Sequence, residues 1–119
     1  MNRFYVLVGS NIEPQENVKK GLNLIKESNE IKLEAASSEH TSKAVGMDGD
    51  NFLNLVLRCT TKLDFIDIVS LLKNIEVLCG RTRDPNNKFT PRTLDLDIII
   101  WNDFEGFIDG YELPDPDIN

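Results

Sequence analysis

Apolar and polar positions alternate over some stretches of this chain and recur at helical spacing over others. Phe4-Tyr5-Val6-Leu7-Val8 is a β-branched and aromatic run, stopped by Gly9-Ser10-Asn11, which reads as a strand entering a loop. Pro14 then stands where a first helical turn accepts proline, with Glu13 and Glu16 near the positive helix end. Val18, Leu22 and Ile25 follow at i, i+4 and i+7, predicting an amphipathic helix to about Ser28. Ile31-Lys32-Leu33-Glu34-Ala35 alternates, predicting a second strand that ends at Ser37 or Ser38.

The stretch Val45 to Asp50 has a turn composition. From Leu53 to Thr61 a third strand is predicted, with Leu55, Leu57 and Cys59 on one face and Val56 on the other. Asp64 is placed to cap a helix carrying Ile68, Leu72, Ile75 and Cys79 on one stripe, and Gly80 to end it. Asp84 to Pro91 is loop-like, and Leu94 to Trp101 is a last strand, with Leu94, Leu96, Ile98 and Ile100 facing the core. The tail after Asn102 has no assigned element. The predicted order is β-α-β-β-α-β. Two helices covering one face of an antiparallel sheet give a ferredoxin-like α+β fold. Repeats and linkers are absent, so residues 1–119 read as one domain.

Composition narrows the class. Apolar residues at 40% and charged residues at 28% are ordinary globular usage and exclude global disorder. Cys59 and Cys79 are too few for a disulfide framework and lack metal-ligand spacing, so both read as buried thiols. The N-terminus carries no long apolar segment before a cleavage site, and no stretch approaches bilayer-spanning length. A cytoplasmic protein with no membrane partner is expected. The net charge of −7 argues against nucleic acid as a partner. Charge is nevertheless uneven: Arg81, Arg83, Lys88 and Arg92 cluster with only Asp84 opposing, whereas no Lys or Arg follows Thr93. A small polyanion suits such a cluster, and so does a solvated loop.

Asp95 and Asp97 sharpen the choice. Residues two apart in a strand face the same side, their Cα atoms about 6.6 Å apart at a rise of about 3.3 Å per residue. Two carboxylates at that spacing can share hard cations while phosphate oxygens complete the coordination. An isolated Asp-x-Asp is more often just a solvent-facing pair. Here two acids on one strand face repel unless a cation intervenes, and the arginines that precede them suit phosphate.

The ordered set Gly9-Ser10-Asn11, Phe52-Leu53-Asn54, Ile75-Glu76, Gly80-Arg81-Thr82-Arg83 and Pro91-Arg92-Thr93-Leu94-Asp95-Leu96-Asp97-Ile98 resembles the 6-hydroxymethyl-7,8-dihydropterin pyrophosphokinases of folate synthesis. The resemblance implies transfer of pyrophosphate from ATP to the pterin hydroxymethyl group, with release of AMP. It implies two Mg2+ ions on Asp95 and Asp97, and catalytic roles for Arg81 and Arg92 beside them. It places Glu76, Arg81, Arg83, Arg92 and Ile98 on the ATP side. Ser42, Val45, Phe52, Asn54 and Phe89 fall around the pterin. Taken without the resemblance, Glu76 reads as a solvated helix position, Asn54 as a backbone-bonding residue, and His40 as structural or exposed. Loops at Gly46–Asp50 and Asp84–Thr90 are placed to close over the substrates and exclude water.

Departures from the family pattern are concentrated near the end. Asp115 stands in place of a histidine, Gly110 where arginine is common and Glu112 where threonine is common. Lys43 and Ala44 replace prolines, Phe89 replaces a tryptophan, and the family's tail after about residue 117 is expected to be missing. These changes leave open a non-catalytic pterin-binding or regulatory relative that has lost ATP use. A further alternative, apart from the resemblance, is an interaction module that assembles through its sheet edge.

Overall fold

The nine-residue strand β1 (Asn2–Ser10) runs through the middle of the molecule and pairs antiparallel on both sides. The computed structural model describes residues 1–42, 52–80 and 94–116, with Ser42 described in its backbone only. One neighbour of β1 is β4 (Phe52–Thr61), which in turn pairs with β2 (Lys32–Ala36) and β3 (His40–Ser42). The other neighbour is β5 (Asp95–Trp101), giving the order β2-β4-β1-β5. Helices α1 (Pro14–Glu27) and α2 (Phe65–Leu78) complete the ferredoxin-like α+β arrangement.

Alternation decides which face the helices cover. Phe4, Val6 and Val8 of β1 are fully buried, together with Leu55, Leu57 and Cys59 of β4. Val18 and Ile25 of α1 and Ile68, Leu72 and Ile75 of α2 pack in the same core. The residues between them on β1 (Arg3, Tyr5, Leu7) stay at least partly exposed, so the opposite sheet face is open. Gly21 of α1 brings the helix very close to the sheet. A Cβ there would lie 2.6 Å from Leu94 Cδ2, and Leu94 has no exposed surface.

Several expectations change in detail. β1 continues through Gly9 to Ser10 rather than stopping before the glycine. Asp64 occupies the N-cap position with an extended backbone but makes no side-chain capping hydrogen bond. Gly80 follows α2 at φ +85, a conformation for which glycine has no steric penalty. Ile100 is not on the core face. The β1–β5 register shifts between Tyr5 and Val6, so Ile98 lies opposite Val6 but Ile100 opposite Tyr5. One extra residue, Ile99, exchanges the faces beyond it, and Trp101 becomes the buried partner of Phe4.

The unassigned tail forms a hairpin of β6 (Gly106–Ile108) and β7 (Tyr111–Leu113). Its two connecting residues, Asp109 and Gly110, both have positive φ, as a tight hairpin of this hand requires. Gly110 thus has a backbone reason to be glycine. Leu113 is buried in the main core, and Asp115 N donates to Ile99 O at 2.8 Å, so the tail is tied to β5.

Candidate functional site

The register across β4, β1 and β5 sets Asn54, Gly9 and Asp95 in one row. The next row is Val56, Leu7 and Asp97. Both rows lie on the open face, because Leu55, Val8 and Leu96 between them are buried on the other. Asp95 is half-buried and Asp97 exposed. Phe52 precedes Asn54 by two residues and shares its face; both are half-buried.

Gly9 forms the floor between them. A Cβ on it would stand 3.1 Å from Asn54 Oδ1 and 3.7 Å from Phe52 Cδ1. The amide and the ring therefore occupy space that any larger residue would contest. Sequence reading treated Gly9 as a loop signal, and its floor role was legible only through the register. Further down the same face, Glu34 bridges Arg3 at 3.9 Å and Arg58 at 3.7 Å, pairing charge away from the two aspartates.

Glu76 is the acid whose environment differs most from its sequence reading. Only 2% of it is exposed, so it is not a solvated helix position. Its Oε2 accepts a hydrogen bond from Leu96 N at 2.7 Å, and Lys73 Nζ lies 3.5 Å from Oε1. The available signal was its position four residues after Leu72 and next to Ile75, on the flank of the apolar stripe. Ile98 is buried on the core side of β5. With Asp97, Lys73, Val69 and Tyr111 it lines a shallow crevice of about 20 Å³ beside α2, too small for a purine.

His40 is exposed on β3, opposite Asn54 in register, with Ser38 Oγ 3.4 Å from its Nε2. Burial, then the negative charge of Glu34, pushes the Cys59 thiol up to about 12 from its ordinary 9.0. Burial also raises the Cys79 thiol, with Lys20 opposing. Both cysteines are held as neutral thiols, the inert state read from the sequence.

Arg81, Arg83, Arg92, Val45 and Phe89 lie outside the described residues, as do both loops expected to close. Among the described residues, no group of three or more His, Cys, Asp or Glu side chains is placed to hold a metal ion. Asp95 and Asp97 nevertheless fit magnesium chemistry. They offer hard oxygen donors on one rigid strand, and magnesium commonly takes only one or two protein carboxylates, the rest being water and phosphate. Among the described residues, no helix is long and apolar enough to cross a membrane.

Fold and open-face site together define an α+β protein with a carboxylate pair beside an amide and an aromatic ring. The chain matches the family model of 7,8-dihydro-6-hydroxymethylpterin-pyrophosphokinase (HPPK) over residues 5–119 and belongs to that family. It is 36% identical over 105 residues to a 2-amino-4-hydroxy-6-hydroxymethyldihydropteridine pyrophosphokinase of Pseudomonas aeruginosa, covering 87% of this chain and 64% of that protein. To the protein of the same name from Bacillus subtilis it is 32% identical over 103 residues, covering 85% and 60%. A third, from Pseudomonas putida, is 31% identical over 102 residues, covering 85% and 83%. The chain thus spans a little under two thirds of the first two relatives.

Proposed function

We propose that this protein transfers pyrophosphate from ATP to the hydroxymethyl oxygen of 6-hydroxymethyl-7,8-dihydropterin, releasing AMP, as a single HPPK-like domain acting in the cytoplasm. The observation that carries the reading is the row Asn54–Gly9–Asp95 across three paired strands. A pterin amide edge and a metal-bound phosphate chain can be held side by side on that rigid face.

In this reading the Asn54 amide hydrogen-bonds the pterin, and Phe52 packs on its ring over the Gly9 floor. Ser42, Val45 and Phe89 complete the pterin side, as the family resemblance implies. Asp95 and Asp97 hold two magnesium ions, which when bound offset phosphate charge and acidify the attacking hydroxyl. Arg81, Arg83 and Arg92 take phosphate oxygens, with Glu76 and Ile98 on the ATP side. The hydroxymethyl oxygen gives up its proton to solvent and forms a new bond to the β-phosphorus as the bond from that phosphorus to the α–β bridging oxygen breaks. AMP leaves with that oxygen. Positioning supplies much of the rate, because phosphoryl transfer asks little covalent work of the protein.

The direct test is AMP and pterin-diphosphate formation from ATP and the pterin alcohol, followed by phosphorus NMR. Stoichiometric AMP that requires magnesium and the pterin is expected. Pterin binding with neither turnover nor ATP binding would favour the non-catalytic alternative.

A further inference from the structure

Among the described residues, β5 pairs within the sheet with β1 alone, which leaves its other edge to partners that are not strands of that sheet. A buried backbone N–H on such an edge needs a partner, because leaving it unpaired forfeits the hydrogen bond it made with water. At Leu96 that partner is not another strand. It is the Glu76 carboxylate, reaching from the core-side helix α2 to the strand edge at 2.7 Å. Leu96 is the residue between Asp95 and Asp97, so the bonded peptide joins Asp95 to Leu96.

Burying a carboxylate is costly unless its oxygens are bonded, and ionised acceptors make the stronger hydrogen bonds. Lys73, at 3.5 Å from the other oxygen, offsets the charge from the same helix. Other contacts also hold this strand. Asp115 N binds Ile99 O at 2.8 Å, and the fully buried Leu94 packs against Gly21. Glu76 is the one of these that grips the strand between the two acids.

Resting on the reading that Asp95 and Asp97 hold the metal, we infer that Glu76 is a positioning residue. By fixing the Leu96 amide, its carboxylate sets the direction in which both aspartates leave the strand. Its influence on nucleotide use is exerted through β5, and it acts before any ligand arrives.

The experiment compares E76Q, whose amide oxygen can still accept from Leu96, with E76L, which cannot. Without ligand, amide hydrogen exchange at Leu96 is expected to accelerate in E76L and to stay near wild type in E76Q. With a non-hydrolysable ATP analogue, Mn2+ titration is expected to show affinity about ten- to a hundredfold weaker in E76L. E76Q is expected to restore it. If E76L does not fold, E76A, which removes the acceptor with less packing strain, takes its place. Unchanged Leu96 exchange, or faster exchange with wild-type metal affinity, overturns the inference. A wild-type protein that binds no metal–nucleotide overturns the functional reading itself, a result distinct from failure confined to the variants.

Discussion

Gly9 and Asn54 oppose each other across β1 and β4 so closely that a Cβ on the glycine would lie 3.1 Å from the Asn54 Oδ1. That separation is tighter than ordinary packing allows, so the amide must shift for anything larger to fit. Gly9→Ala is therefore expected to leave the strand paired but displace Asn54 by a few tenths of an ångström. Disturbing one hydrogen bond of about 1 kcal/mol should weaken pterin binding roughly fivefold. Calorimetry with the pterin alone measures it, and unchanged affinity would remove Asn54 from the site.

Asp95→Asn and Asp97→Asn test the carboxylate pair. Ligand linkage predicts that wild type gains about 2.7 kcal/mol of stability at a ligand concentration of one hundred times Kd. Each variant should lose most of this gain with magnesium and an ATP analogue together. Thermal melts at fixed nucleotide, with and without magnesium, give the comparison. Equal shifts in wild type and both variants would place the metal elsewhere.

Gly21→Ala probes the packing beneath the site. The new methyl would meet Leu94 Cδ2 at 2.6 Å, and Leu94 is fully buried and has little room to move. Overpacking costs about 1–3 kcal/mol, while alanine in a helix recovers about 1. Net destabilisation of about 1 kcal/mol is expected in urea denaturation. Because Leu94 directly precedes Asp95, metal affinity should fall as well.

Cys59 gives the protein an alkaline limit. Its thiol titrates at about 12 when folded and at 9.0 ordinarily, so the folded state holds the proton more tightly. The contribution is complete below pH 9.0 and is lost as pH rises towards 12. Stability should thus decline above pH 9, more steeply in wild type than in Cys59→Ala. Denaturant midpoints at pH 8 and pH 10.5 measure the difference, and parallel slopes would contradict it.

Much of the fold was readable locally. Val18 and Ile25 or Ile68, Leu72 and Ile75 lie on helix stripes that need no knowledge of the rest of the chain. Alternation in β5 likewise put Asp95 and Asp97 on one face, since side-chain direction in a strand follows from period two. The Asp109-Gly110 hairpin was available too, through the positive φ that this dipeptide accepts, although no element was assigned there.

Other features arise only when distant segments meet. The bulge at Ile99 moves Ile100 to the open face because two strands of unequal local length must stay paired. Glu76 is buried because an edge strand 20 residues away presents an amide that needs an acceptor. The amino-acid sequence by itself determined the two helices, the four strands β1, β2, β4 and β5 and the shared face of the two acids, all of which depend on neighbours a few residues apart. Tertiary structure alone decided that Asn54, Gly9 and Asp95 form one row, because strand register is set by pairing across the chain.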